Sequence, residues 1–431
     1  MRRGENPFCV AHHQSPKDPR RWNAWLFFIC GLVALGADTP EPKQALPLAP
    51  GTVGNLPVVL LEVRQPVQSE IKVPCRVRLL LPAGEGQETA ATGNIRIHGA
   101  SSQSYPKKSF AFTLDTPVRW LGLRRGAHWV LNAAFIDRSL MRHKLSYDLF
   151  LSLATTNAPR YASASRFVEV MLNGKYQGAY LLMERVDGAL FQFRPYDSNA
   201  VQHACVYKAI DHGAHFYSPG HAGYEQREPD PLLKSYWGPL DQLNAFVSSS
   251  DRTKFFHPTR GIASQVDLAN VIDFHLLVLL TCNMDGFDKN LFLSRDAPVP
   301  GAAPPLFFFA PWDYDATFGR NWEGSRVGGQ RWLSNNLFDR LLASPDYAKL
   351  FSARWKQLRS AQFSAEHIDR LIDDNVAALG DAADRNAARW RTSAGYYPDR
   401  LTLREDIAQM KSWVERRTKW LDAEIARRTG F

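Results

Sequence analysis

The segment Asn283-Met284-Asp285-Gly286-Phe287-Asp288-Lys289-Asn290 carries the densest set of side chains able to do chemistry, and it follows an apolar run directly. Asp285 and Asn290 are five residues apart. Phosphoryl-transfer loops use this spacing to set one carboxylate against the proton of an attacking hydroxyl and one amide oxygen on a magnesium ion. The spacing, and not residue type alone, favours Asp285 over Asp288 for the first role. About twenty residues on, Pro311-Trp312-Asp313-Tyr314-Asp315 places an acidic pair after the hydrophobic run Leu306 to Ala310. Magnesium takes one or two carboxylates and fills its octahedron with phosphate and water, so Asp313, Asn290 and Asp315 form a candidate metal set.

A third segment, Arg96 to Phe110, offers small residues between two strand-like runs, among them Gly99, Ser101 and Ser102, followed by Lys107 and Lys108. Small residues let backbone N–H groups approach phosphate oxygens, and a lysine adds a point charge. Alternation puts Lys108 on the face of Phe110, Phe112 and Leu114, and Lys107 on the face of Ser109 and Thr113. Lys108 is therefore expected to be the sheltered phosphate contact and Lys107 its solvated neighbour.

Positioning these groups requires a scaffold, and the patterning describes one. Runs at 58–61, 75–81, 94–98, 108–114 and 129–133 have partial period-2 character and read as an antiparallel sheet. Asp137 is expected to cap a helix over 138–153. The runs 166–172 and 178–183 flank Asn173-Gly174, a strong type I′ hairpin signal. After residue 187 the pattern changes. A Gly, Pro and His-rich loop covers 211–231, and helices are expected at 232–247 and, capped by Asp267, at 268–282. Short strands at 290–295 and 306–310 precede a helical remainder from about 335. The fold class is α+β, expected as two lobes, with a sheet-rich N-lobe over 56–187 and a mainly helical C-lobe over 188–431.

Arg96 to Phe110, the 131–147 stretch with Asp137, Ser139 and Arg142, Leu172-Asn173-Gly174 with Gly178, Tyr180 and Glu184, the Asp285–Asn290 loop, and Trp312 to Asp315 with Phe318-Gly319 together resemble the spore coat protein H (CotH) kinase family. The resemblance runs from about residue 56 to 421. It implies an atypical, two-lobed protein-kinase-like fold, ATP with Mg2+ or Mn2+ as cofactors, and transfer of phosphate to Ser or Thr of exported or cell-surface proteins. It also implies Asp285 as the catalytic Asp, Asp313 as a metal ligand and Asn290 as the second. The expected helix 138–153 holds no Glu to pair with a phosphate-binding lysine, and Glu184 or Glu169 is the substitute. Two other readings share these residues: a non-catalytic envelope or coat-assembly protein that keeps the fold, and a transferase moving another group, such as AMP, from ATP.

The composition bounds these readings. The 431 residues include 52 Lys plus Arg against 43 Asp plus Glu, a formal +9, with 45% hydrophobic and 12% aromatic residues, so the chain can bury a large core. Arg20-Arg21, the apolar run Trp25 to Leu35 and small Gly36-Ala37 have the order of a secretory signal over 1–37 or an N-terminal membrane anchor. Residues 38–55 follow as a Pro-rich linker, and the expected location is secreted, periplasmic or at the cell envelope. Removing 1–37 takes away five bases and two acids, so +9 becomes +6. No other run approaches the about 18–20 apolar residues of a membrane span. Cys75, Cys205 and Cys282 remain, enough for at most one disulfide. The basic pairs at 124–125, 416–417 and 427–428 are scattered without a stacking platform, so nucleic acid is not an expected partner. His212, His215 and His221 read as a surface loop, with a metal site as the alternative.

Overall fold

A sheet whose last strand must return to its first needs a long-range pairing that local patterning does not show, and this chain makes one. The computed structural model describes residues 54–82, 88–392, 399 and 401–431. The expected signal segment and nearly all of the linker lie outside them. Strands β1 (Val58–Val63), β2 (Val73–Leu80), β3 (Thr89–His98), β4 (Ser109–Val118), β5 (Gly126–Asn132), β6 (Ser165–Leu172) and β7 (Lys175–Glu184) form a closed barrel in the order β1-β2-β3-β4-β5-β7-β6. Neighbours are antiparallel except at the seam, where β1 runs parallel to β6 with Val59 opposite Val170. Inward alternation drives this closure. Val59, Val77, Ile95, Phe112, Leu131, Val170 and Leu182 meet inside the barrel and are essentially solvent-free. At the β6–β7 turn Asn173 and Gly174 both take positive φ (47° and 74°), as a type I′ turn requires.

A second sheet has the order β11-β10-β8-β9 and comprises β8 (Cys205–Ala209), β9 (Tyr224–Glu228), β10 (Leu291–Arg295) and β11 (Phe308–Pro311). The helices among the described residues are α1 (Arg142–Leu151), α2 (Gly238–Ser249), α3 (Arg252–Phe255), α4 (Leu268–Thr281), α5 (Asn336–Leu342), α6 (Pro345–Arg359), α7 (Ala365–Leu379), α8 (Asp381–Trp390) and α9 (Leu403–Thr429), of which α4 packs on β11. From Asn270 to Thr281 every residue of α4 is buried. At about 1.5–3 kcal/mol for each fully buried large apolar side chain, this helix anchors the main core. Asp267 caps it by accepting the Asn270 N–H at 2.7 Å.

The α+β mixture agrees with the sequence reading, but the two-lobed kinase-like arrangement does not. The first sheet is a closed barrel, a second sheet lies in the supposedly helical half, and α8 returns to pack on β7. Arg385 of α8 pairs with Glu169 of β6 at 2.7 Å, and Asn386 reaches Lys107 at 2.8 Å. These contacts join residues more than 200 positions apart, so the chain does not divide into a sheet lobe and a helical lobe. Helix α1 also starts at Arg142 and not at 138. Leu140 takes a positive φ of 60°, and Asp137 accepts the Arg142 N–H at 2.8 Å across the resulting loop. Cys75, Cys205 and Cys282 are separate, buried thiols.

Candidate functional site

Helix α4 ends at Cys282 in the left-handed region (φ 53°), and the chain leaves it as the 283–290 loop. Backbone bonds close that loop on itself, since the Asp285 carbonyl accepts from both Lys289 and Asn290 N–H at 2.9 Å. Strand β11 delivers the 311–319 segment alongside. The two are clamped at one atom, the Asp313 carbonyl oxygen, which accepts from Asn283 Nδ2 and Asn290 Nδ2, each at 3.1 Å. Asp313 itself is held at φ 56°, a costly conformation for a residue with a side chain. Its N–H donates to the Tyr147 hydroxyl and the next N–H, of Tyr314, donates to His143 Nδ1, both at 3.0 Å. Helix α1 thus pins the backbone that aims the acidic pair.

Asp285, Asn290, Asp313 and Asp315 line one cleft of about 760 Å3. His143 Nε2 lies 3.8 Å from an oxygen of each of Asp313 and Asp315, and the three groups fit within the span of one metal ion. Burial, then the charges of Asp313 and Asp137, push the Asp315 carboxyl well above the usual carboxylate range. Among the described residues no Lys or Arg pairs with either carboxylate, and a divalent ion would relieve their mutual repulsion. Asn290 Oδ1 accepts no hydrogen bond among the described residues, because the amide is tethered through its nitrogen. The resulting hard-oxygen donors, two carboxylates and an amide carbonyl, fit Mg2+ or Mn2+.

The cleft also holds basic residues. Gly99, Ser101 and Ser102 line it, and the exposures expected of the two lysines are reversed. Lys107 is 2% exposed and Lys108 is half-buried with its Nζ bonded to the Gln103 carbonyl at 2.6 Å. The alternation argument fails because β4 starts at Ser109; Lys107 and Lys108 precede it on a bend after Pro106. Lys107 borders the cleft, yet its ammonium is bonded to the carbonyls of Ala133 (2.7 Å) and Ala179 and to Asn386 Oδ1 (2.8 Å). Three acceptors use its three N–H groups. Burial pushes its pKa down while the charge of Asp137 opposes that. Neither glutamate serves as its partner. Glu184 accepts the Arg124 N–H at 2.6 Å, and Glu169 is taken by Arg385 and Tyr176.

Further cations line the cleft: Arg96 of β3, the first residue of the Arg96 to Phe110 segment, and Lys208 of β8 and Arg227 of β9, for which the sequence carried no expectation. Lys208 Nζ has no salt bridge among the described residues and lies 5.4 Å above the Trp312 ring. Arg227 pairs with Glu225 at 2.8 Å, but its buried Nε has no partner. Burial first, then Lys208, Arg96, Arg227 and Arg185, push the neighbouring His98 down to about 3. Strands β8 and β9 were the weakest to read: β9 is the polar Tyr-Glu-Gln-Arg-Glu inside the expected loop 211–231.

His143 was also missed, because a histidine inside a helix has no local signature as a site residue. The same holds for the buried ion network beneath the cleft. Arg142 pairs with Asp137 and with Asp406 (3.3 Å) while its Nε donates to the Thr317 carbonyl at 3.0 Å. Arg320 reaches Asp406 and Asp399. The three loop histidines do not converge. His212 pairs with Asp288 at 3.0 Å, His221 with Asp241 at 2.8 Å, and His215 accepts the Tyr217 N–H.

A family model described as CotH kinase protein matches residues 95–421, a span that includes every residue of the cleft. The inner spore coat protein H of Bacillus subtilis (strain 168) is 28% identical over 292 residues, covering 65% of this chain and 74% of that protein.

Proposed function

The chain belongs to the CotH kinase family, and on that premise we propose that it transfers phosphate from ATP to Ser or Thr hydroxyls of proteins at the cell envelope or in a coat. The observation that supports this most is the two kinds of charge in the cleft. Acidic groups from two segments and the cations Arg96, Lys208 and Arg227 line the same cleft, with Lys208 close enough to Asp313 to feel its charge. A nucleotide polyphosphate bridging a divalent cation and basic side chains needs that arrangement.

Asp313, Asp315 and Asn290 Oδ1 would hold the cation, which when bound neutralises charge on the phosphate oxygens. Lys208, whose ammonium lies beside Trp312 with no salt bridge among the described residues, would meet the polyphosphate directly, and Arg96 and Arg227 would add positive charge to the same cleft. Asp285, 23% exposed at its side chain and 3.8 Å from Lys289 Nζ, faces the cleft from the loop tip. Its carboxylate would orient the acceptor hydroxyl and take its proton as the bond to phosphorus forms. Lys107 is left to shape the cleft.

The likeness to a protein named as a spore coat component supports placement at a coat or envelope, and is also compatible with an assembly role that involves no turnover. The test is mass spectrometry of a Ser-rich acceptor and of the protein itself after incubation with ATP and Mg2+. A mass gain of one phosphate that Asp285→Ala abolishes is expected. A gain of one AMP identifies the other transfer. No gain, with ATP still raising thermal stability, identifies a nucleotide-binding assembly protein.

A further inference from the structure

His143 is 1% exposed, and its Nε2 points between the two carboxylates that the proposed reaction assigns to the metal. Distances alone would admit it as a third ligand. Its other nitrogen decides otherwise. Nδ1 lies 3.0 Å from the Tyr314 backbone nitrogen, a group that can only donate, so Nδ1 must carry the lone pair. A neutral imidazole has one acceptor nitrogen; the hydrogen is therefore on Nε2. The Tyr147 hydroxyl, 3.3 Å away, is already accepting from the Asp313 N–H and is free to donate its own hydrogen to the same Nδ1. Asn132 Nδ2, also a donor because its Oδ1 accepts the Ala134 N–H, approaches Nε2 at 3.4 Å, a longer and weaker contact than the 3.0 Å one from the Tyr314 N–H. Ligation through Nε2 would require moving its hydrogen to Nδ1, head-on against the Tyr314 N–H. The imidazolium would meet the same opposition.

We infer that His143 is a positioning residue and not a metal ligand: its Nε2–H faces the Asp313–Asp315 pair from 3.8 Å, a distance at which it acts on both carboxylates electrostatically and not through a formed hydrogen bond, and it leaves an oxygen-only divalent site. The inference rests on the metal assignment made for the proposed reaction. It adds a selectivity argument, because a site without an available imidazole lone pair favours Mg2+ or Mn2+ over Zn2+, for which nitrogen ligands are preferred. Histidine in this role resembles the outer hydrogen-bond partners whose loss costs about 10–100-fold in metal affinity.

The probe is Mn2+ alone, titrated into the intact wild-type protein and followed by electron paramagnetic resonance, with electron spin echo modulation to detect coordinated nitrogen. Binding that Asp313→Asn weakens, with no modulation from a directly bound imidazole, is the expected result. His143→Ala should weaken Mn2+ about 10–100-fold, and His143→Gln, whose amide N–H can stand in for Nε2–H, should restore affinity to within about threefold. Imidazole modulation in the wild type overturns the inference and leaves the metal site standing. Mn2+ binding that is absent, or indifferent to Asp313→Asn, overturns the metal assignment and the inference with it. The wild-type spectrum reads the point even if His143→Ala does not fold.

Discussion

Replacing Lys107 with Met separates a structural lysine from a phosphate-binding one. The substitution keeps the apolar stem and removes three donors from a site that is 2% exposed, taking that donor from the Ala133 and Ala179 carbonyls and leaving Asn386 Oδ1 only the longer bond from the Ala179 N–H at 3.3 Å. A buried acceptor left unpaired costs about 1–3 kcal/mol. Relief of the buried ammonium's desolvation, several kcal/mol, offsets part of that. The balance is a loss of about 2–4 kcal/mol. Unfolding entropy of about 2.1 cal/mol/K per residue gives about 0.9 kcal/mol/K for a chain of 431 residues, so Tm should fall by about 2–4 °C. Nucleotide affinity, measured by calorimetry with Mg-ATP well below Tm, should change by less than about threefold. A lysine in direct contact with phosphate would give the reverse pattern. Losing one charge-assisted bond of about 1.5–3 kcal/mol weakens binding about 10–100-fold. An unchanged Tm with lost Mg-ATP binding would refute the reasoning and return Lys107 to the phosphates.

Two further perturbations test the packing that surrounds the cleft. Gly178→Ala places a methyl group at φ +108°, 2.4 Å from Asn386 Oδ1 and 3.3 Å from Lys107 Cε. Strain of about 1–3 kcal/mol plus the clash should lower Tm at least as far as Lys107→Met, and the double variant should fall short of the sum in a thermal melt, because both disturb Asn386. His275 is fully buried, donates to the Leu333 carbonyl at 2.9 Å, and burial pushes its pKa down to about 4. The unfolded chain takes up that proton below about 6.5 and the folded protein does not, so stability present above pH 6.5 is lost as pH falls toward 4. One such group is worth about 3 kcal/mol over the window, and in urea melts His275→Gln should lose that much less than wild type between pH 6.5 and 4.

Sequence reasoning found features whose cause is local. Period-2 alternation located the barrel strands, Asn173-Gly174 located a turn that needs two positive φ angles, and Asp267 located the start of α4. The cleft's acidic residues were legible for the same reason, since the D-x-x-x-x-N spacing and the Trp312 to Asp315 run are each short. What stayed hidden depends on distant partners. The β1–β6 seam joins residues about 110 apart and turns an open sheet into a barrel. Lys107 and Lys108 were assigned by a strand alternation that begins only at Ser109, and the group that fixes Lys107 is Asn386, 279 positions away. His143 acquires meaning only once β11 has carried Asp313 and Asp315 over α1.

The groups that would do the chemistry sit on loops, and the precision of those loops comes from beneath them. Asp313 is held in a conformation that costs about 1–3 kcal/mol, so hydrogen bonds rather than local preference keep it there: its N–H donates to Tyr147, its carbonyl accepts from Asn283 and Asn290, and the next N–H, of Tyr314, donates to His143. Tyr147 and His143 lie on α1, whose first residue, Arg142, is bonded to Asp137, Asp406 and the Thr317 carbonyl. Asp406 comes from the first turn of α9 and also binds Arg320, which flanks the acidic segment on its other side. Removing one member of a fully buried ion network costs about 3–5 kcal/mol, because the remaining charges lose their partner without regaining water. The C-terminal helices are therefore part of the cleft's construction. Helix α8 brings Asn386 to Lys107 and Arg385 to Glu169, and α9 brings Asp406 to both arginines. That accounts physically for a family match that continues through α8 and into α9, long after the last cleft residue, Trp322, has been passed.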